Sequence, residues 1–343
     1  MRKKHDKTNN YLAVFNPATG EYLRLGNATF SQSPDLIDIG IMGSCNAGKI
    51  GLCAKAGVSC YQSGTEKFSE NMPLKLYKSI IEQAKDYVFQ VALGGRGDPN
   101  HHENFAEILR ITKENEIVPN YTTSGYGLTD EQIQLTKQYC GATAVSWYDE
   151  THSQNTIDRL INAGVTTNIH YVLNRRSILQ AKILVDKLDK IDKRINAIIF
   201  LLHKPVGLGT TAEIPTTEQM QTFLGWADEW VLAGKNIGFD SCCVSAIINH
   251  TQNINRQTVE PCEAARFSMY INAQGIATPC SFDQDGGVNL QYSTILQAWD
   301  SAYFEKYRQK FRQNCTACGD RLDCLGGCPL HSEIAFCSRS ERK

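Results

Sequence analysis

From residue 36 onward, short apolar runs alternate with longer amphipathic stretches. The runs are LIDIGIMG (36–43), YVFQVALGG (87–95), IVPNYTTSG (117–125), ATAVSWY (142–148), VTTNIHYVL (165–173) and AIIFLLH (197–203). Their lengths and β-branched content predict strands. Between them PLKLYKSIIEQAKDY, ENFAEILRITKENE, TDEQIQLTKQY, SQNTIDRLINAG and SILQAKILVDKLDK read as helices, with Thr129 as a start signal and Gly164 as a stop. Six β/α units in succession imply an α/β fold, a parallel sheet with helices outside, closed into a partial TIM-like (β/α)6 barrel over residues 36–235. Residues 1–35 form a hairpin-like extension with its turn at 16–20, and 236–343 form a second, cysteine-rich domain.

Composition narrows the class. With 35 basic against 36 acidic residues and a formal charge of −1, the chain offers no electrostatic reason to expect nucleic acid or an anionic membrane as partner. No apolar run approaches the roughly 20 residues that span a bilayer. The N-terminus MRKKHDKTNNYLAVF has no apolar core followed by a small-residue cleavage site, and the 13 cysteines are an odd number in a long chain. Reduced thiols in a cytoplasm are expected.

The chemistry lies in how those cysteines are spaced. Cys262, Gly275 and Cys280 are followed by CTACGDRLDCLGGC, with Cys315, Cys318, Cys324 and Cys328 separated by two, five and three residues, and then by Cys337. A single tetrahedral zinc would use four of these seven and leave three idle. Iron-sulfur clusters need four converging thiolates, for which tight CxxC spacings suit neighbouring corners of one cubane. A second group follows the first strand: Cys45, Cys53 and Cys60, separated by seven and six residues. In a parallel barrel the C-terminal strand ends carry the site. The second strand ends in LGGRGDP, whose Gly95, Gly97, Asp98 and Pro99 form a turn that lets backbone approach a ligand. Thr123, Ser124, Ser146 and Asn174 end or lie in later strands and are candidate ligand contacts or ordinary caps.

The seven C-terminal cysteines in this order resemble the SPASM extension of radical S-adenosylmethionine (SAM) enzymes. The loop after the first strand resembles the CxxxCxxC loop of that family, with insertions around its middle cysteine: Cys45 precedes Asn46, and Cys60 precedes Tyr61 and Gln62, although Ser59 stands where an aromatic residue is usual. The resemblance implies an oxidoreductase or maturase with three [4Fe-4S] clusters. Cys45, Cys53 and Cys60 would hold the first, whose fourth iron binds SAM. Reduction then cleaves SAM to a 5′-deoxyadenosyl radical that takes a hydrogen atom from substrate. Gly95, Gly97 and Asp98 would bind the methionine amino group, with Asp98 in place of the family's glutamate, and Ser146 and Asn174 would contact ribose or carboxylate. Cys262, Cys280 and Cys328 would hold one auxiliary cluster, with Cys242 or Cys243 as candidates for the missing ligand. Cys315, Cys318, Cys324 and Cys337 would hold the other. Cys140 reads as core. In the resembled sulfatase-maturating enzymes an aspartate beside a cluster cysteine is the base, which makes Asp283 the candidate here despite a different offset.

The implied substrate is a peptide or protein side chain, oxidised to formylglycine or joined in a crosslink, with flavodoxin or ferredoxin as electron donor. Residues 1–35 are too short for the winged-helix module that binds leader peptides in many relatives, so either a separate leader-recognition protein is a partner or the substrate is not a leader-bearing peptide. Two readings stay open beside this one: a radical SAM dehydrogenase of a small metabolite, and a non-enzymatic electron-transfer protein.

Overall fold

A computed structural model describes residues 1–191, 193–310, 315 and 317–337. Its N-terminal part is a three-stranded antiparallel sheet of β1 (Arg2–Asp6), β2 (Tyr11–Phe15) and β3 (Tyr22–Gly26), in the order β1-β2-β3. The expected hairpin is β2–β3, with Phe15 opposite Tyr22. The additional strand β1 is too polar to stand out in the sequence, and Asp6 is its one buried residue. Tyr11, Ala13 and Phe15 alternate onto one face and pack on Phe89, Val118 and Phe267, residues at the N-terminal ends of barrel strands. Asp35 ties this sheet down: Lys4 Nζ reaches its Oδ1 at 2.5 Å, and the hydroxyls of Tyr11 and Tyr22 donate to Oδ2.

All six expected barrel strands form, each shorter than its apolar run: β4 (Leu36–Ile39), β5 (Gln90–Leu93), β6 (Val118–Thr123), β7 (Thr143–Ser146), β8 (Thr167–Leu173) and β9 (Ala197–Leu202). The run ends GIMG and GG are instead turns that carry the chain off the sheet, and Gly95 and Gly97 take positive φ there. All six pair in parallel. β10 (Ile237–Phe239) extends the same sheet beyond β9, and β11 (Ser268–Ile271) pairs in parallel with β4 at the other edge. β12 (Ile276–Thr278) and β13 (Val288–Asn289) then add antiparallel, giving ten strands in the order β10-β9-β8-β7-β6-β5-β4-β11-β12-β13.

The described residues also form twelve α-helices. α1 (Asn46–Lys49) and α2 (Leu52–Lys55) lie in the first cysteine loop; α3 (Leu74–Ala84), α4 (Phe105–Glu114), α5 (Asp130–Tyr139), α6 (His152–Asn162), α7 (Ala181–Ile191) and α8 (Thr217–Leu232) cover the barrel. α9 (Val244–His250), α10 (Ile295–Trp299), α11 (Ala302–Arg308) and α12 (Arg321–Cys324) belong to the C-terminal part. Thr129 starts α5 through a reciprocal capping box with Gln132, and Gly164 turns the chain after α6 at φ +78°.

Strand alternation sorts the barrel into two environments. Ile37, Ile39, Val91, Leu93, Tyr121, Val145, Ile169 and Phe200 point outward and are buried beneath the helices. Their neighbours Asp38, Ala92, Thr122, Ser146, His170 and Ile199 point inward and keep accessible surface. The barrel lumen therefore keeps accessible surface, with both polar and apolar residues on its wall. Trp299 locks the C-terminal part to the N-terminal segment, its indole donating to the Ser31 carbonyl at 2.9 Å, while the buried Arg308 donates to the carbonyls of Ala265 and Trp299.

Candidate functional site

The chain leaves β4 through Gly40–Gly43 and enters the first cysteine loop, where Cys45 caps α1 by accepting from the Gly48 N–H at 3.1 Å. The loop is folded over the strand ends by close backbone contacts. Gly97 packs against the Ser44 carbonyl, so that a side chain there would collide with it. The loop after β9 lies on the third cysteine, with Leu208 N–H donating to the Cys60 carbonyl at 2.9 Å. Asn174, buried at the end of β8, donates to the Gly57 carbonyl at 2.8 Å and accepts from the N–H groups of Arg176 and Ser177. Ser59, the residue at which the loop departs from the family pattern, donates to Glu213 at 2.6 Å.

The insertion does not scatter the three thiols. Burial pushes the Cys45 thiol up to about 11, and the charges of Asp98, Cys60 and Cys53 act on it in the same direction. Burial and Cys60 likewise raise Cys53. A Cβ on Gly64 would come 2.8 Å from Cys45 Cβ and 3.6 Å from Cys60 Sγ, so a glycine is needed where the loop closes around these two. A cavity of about 580 Å³ opens beside them, walled by Cys53, Cys60 and Gly57 on one side and Asn174, Arg175 and Glu213 on the other.

Of the other residues expected at the SAM site, Asp98 is buried at the foot of the turn after β5. It accepts from the Ser124 N–H at 3.0 Å and from the Ser124 hydroxyl. Burial raises its carboxyl and those two bonds oppose the shift. Thr123 donates to Asn100 at 3.0 Å, so both residues ending β6 serve the same turn. Ser146 is half-buried on the lumen side, and its carbonyl accepts from Ser153.

The C-terminal cysteines gather into two groups. Cys242 hydrogen-bonds to Cys328, and Cys262 and Cys280 each feel the charge of Cys242. The Cys242 bond to Cys328 and burial raise the Cys242 thiol; burial raises Cys262 to about 11 and lifts Cys280 well above its ordinary value. Cys243 turns away: it is buried in the barrel-side core and its thiol donates to Asp240 at 3.3 Å. Cys315, Cys318, Cys324 and Cys337 line a second cavity together with Ser245 and Asn249. Cys140 packs against the core between helices and sheet. None of the thirteen cysteines forms a disulfide. Among the described residues no three Cys, His, Asp or Glu side chains converge as a single-ion site. Ligands of a cubane bind separate irons and spread wider than the tetrahedral ligands of one zinc.

Asp283 lies at the seam between barrel and C-terminal part. Its N–H donates to the Cys280 carbonyl at 3.0 Å and its carboxylate accepts from Tyr303. It lines a cavity of about 120 Å³ with Gln62, Arg96 and Tyr270. Several residues at this seam escaped the sequence reading. Tyr61, next to Cys60, packs against Phe282, two residues after Cys280, with the rings tilted at 45° and 4.7 Å between centroids. Lys204 sits 4.8 Å over the same Phe282 ring and is paired with Asp240. Burial works against the Lys204 charge, but Asp240 overrides it and holds the ammonium above its ordinary range. The only signals in the sequence are a Lys at a strand end and aromatics beside cysteines.

The architecture so far is a partial parallel barrel whose sheet continues into a cysteine-rich domain. Residues 262–320 match the SPASM family model, described as an iron-sulfur cluster-binding domain. The chain as a whole resembles the solved structures of Streptococcus suis SuiB bound to precursor peptide SuiA (TM-score 0.71, 16% identity, 90% of this chain and 77% of that one) and of the same protein bound to S-adenosylmethionine (TM-score 0.69, 17% identity, 91% and 78%). It also resembles native anSMEcpe with bound AdoMet and Cp18Cys peptide (TM-score 0.62, 13% identity, 86% and 89%). No curated protein matches by sequence. The chain thus carries the fold of radical SAM enzymes, with a SPASM domain at its C-terminal end. Among the described residues, no helix is long and apolar enough to cross a membrane.

Proposed function

We propose that this protein is a radical SAM oxidoreductase or maturase that modifies a peptide or protein side chain, with the barrel over 36–235 and the auxiliary-cluster domain over 236–343. The observation that carries the reading is the sorting of eleven cysteines into one set of three at the β4 exit and two sets of four in the C-terminal part. Cys45, Cys53 and Cys60 would hold three corners of a cubane and leave the fourth iron to SAM. Cys242, Cys262, Cys280 and Cys328 would hold one auxiliary cluster, and Cys315, Cys318, Cys324 and Cys337 the other. When bound, these groups supply one-electron cleavage of SAM to a 5′-deoxyadenosyl radical able to abstract hydrogen from substrate.

The residues around the first set do the positioning. Gly95 and Gly97 bring backbone close to the cysteine loop, and Asp98, fixed by Ser124, offers a carboxylate for the methionine amino group. Asn174 ties β8 to that loop beside the cavity, and Ser146 presents a hydroxyl in the lumen. Asp283, at the seam, would take the proton from substrate. Support for a peptide substrate comes from the peptide-bound relatives. The cytoplasm, with a flavodoxin or ferredoxin as donor and a separate leader-recognition protein, suits reduced thiols.

The test is anaerobic reconstitution with iron and sulfide, then reduction in the presence of SAM. About twelve irons and the appearance of 5′-deoxyadenosine are expected. An iron content near four, or no SAM cleavage from fully loaded protein, would overturn the reading.

A further inference from the structure

Asp38 is the third residue of β4, between Ile37 and Ile39, which are fully buried on the outer face. Alternation turns its carboxylate into the lumen. There it is half-buried, and burial alone pushes it up to about 7, with no hydrogen bond or charge from the chain opposing the shift. Three other acids near the seam have partners: Asp98 has Ser124, Asp240 has Lys204, and Asp283 has Tyr303, while Asp285 is exposed to solvent. Of the nearby cations, Lys204 is paired with Asp240, and Arg96, which donates to the Gln62 carbonyl at 3.2 Å, acts on Tyr270 but not on Asp38.

The neighbours of Asp38 across the ladder are Ala92 on β5 and Tyr270 on β11. Gly94, one inward position further along β5, has no atom within 4 Å of where a Cβ would stand. The Tyr270 hydroxyl reaches over Gly40 and Gly95 at the mouth, near Tyr61, against which Phe282 packs. Asp38 lies two residues below Gly40, roughly 7 Å at the rise of a strand. A long side chain that entered past the Tyr270 hydroxyl would run its stem along small residues and aromatic rings and bring its head to the carboxylate. The other titratable groups facing Asp38 are Tyr61 and Tyr270, and across the lumen stands His170, which burial lowers to about 4. None of them supplies a cation at neutral pH.

We propose that the barrel lumen binds a substrate side chain that ends in a positive charge, an ammonium or guanidinium, with Asp38 as its counter-ion. This rests on the barrel being the site where SAM and substrate meet. Asp38 is a specificity residue here, and a leucine or serine side chain would leave it unpaired.

The sign of the pH dependence follows. Below about pH 7 the free carboxyl is protonated and has nothing to offer a cation, while a lysine ammonium stays charged throughout. Affinity for a cationic side chain should therefore rise from pH 6 to pH 8 and level off above. Affinity for a neutral isostere should not.

The experiment uses reconstituted, SAM-saturated protein and N-acetylated, C-amidated pentapeptides Gly-Gly-Xaa-Gly-Gly in which Xaa is lysine, norleucine or glutamate, with binding read by anaerobic calorimetry. At pH 8 the lysine peptide should bind at least about tenfold more tightly than the norleucine peptide, the scale of one charge-assisted contact. That advantage should shrink about tenfold per pH unit below 7, and Asp38→Asn should erase it. Equal binding of lysine and norleucine peptides at pH 8, no binding of the lysine peptide at millimolar concentration, or a preference unchanged between pH 6 and pH 8 would overturn the proposal. So would an Asp38→Asn protein that keeps the preference but loses affinity for SAM, since Asp38 would then be the counter-ion of SAM itself. Should that variant fail to fold, the wild-type peptide and pH series decide alone. Wild-type SAM cleavage separates the two levels: cleavage without a lysine preference removes only this inference, and its absence from fully loaded protein removes the function it rests on.

Discussion

The barrel loop and the C-terminal domain treat the same residue type in opposite ways. Cys45, Cys53 and Cys60 sit on a loop of short helices and glycine turns beside a cavity of about 580 Å³. Cys242, Cys262, Cys280 and Cys328 are held among the core residues of both halves, with Tyr307 near Cys262 and Trp299 and Phe304 behind. One arrangement leaves room for a further ligand and the other surrounds its thiols with protein. Openness is thus a property of the backbone around the cysteines and not of their number alone. Ser59–Glu213, Asn174–Gly57 and Leu208–Cys60 pin the long spacing between the loop cysteines to two neighbouring strand ends.

That contrast is easiest to break at Cys53, the cysteine flanked by the insertions. Cys53→Ala should lower SAM cleavage by about a hundredfold or more and remove about four irons, because two thiolates hold a cubane poorly. Iron analysis with a 5′-deoxyadenosine assay reads both, and retention of the parent rate would show that another residue is the third ligand. A smaller split is expected between the adjacent Cys242 and Cys243. Cys242→Ala should cost about four irons while SAM is still cleaved, whereas Cys243→Ala should keep the full iron content and lose about 1 kcal/mol of stability for a small buried side chain. Iron loss from both would merge the two roles. The mildest effect falls on Asp98. Asp98→Asn keeps an acceptor for the Ser124 N–H but removes the charge, so SAM affinity should drop about tenfold, measured by equilibrium binding with the irons in place.

Most of the frame was legible in the residues. β-branched runs and amphipathic stretches located six strands and five helices, and cysteine spacing located the matched domain. What escaped did so for physical reasons. β1 reads RKKHD because it is an edge strand of a small sheet that buries only Asp6, so it carries no apolar alternation. β10 and β11 are three and four residues long and draw their stability from β9 and β4. Asp38 was in view inside LIDIGIMG, but one acid in an apolar run gains meaning only when its neighbours are known to face outward. The choice of Cys242 over Cys243 depends on a turn one residue long, which spacing cannot resolve.

β11 carries a consequence for how such a protein can be rebuilt. It lies inside the matched C-terminal segment, yet it hydrogen-bonds along β4, with Tyr270 beside Asp38. Cutting the chain before it would bare an apolar strand edge, a template for aggregation. The two halves are therefore not beads on a string. A chimera that exchanges C-terminal domains to alter substrate choice would have to bring a matching β4 with it, and with β4 the stem of the cysteine loop. Recombination that respects this seam moves both together, and recombination that ignores it should yield insoluble chains however good each half is alone.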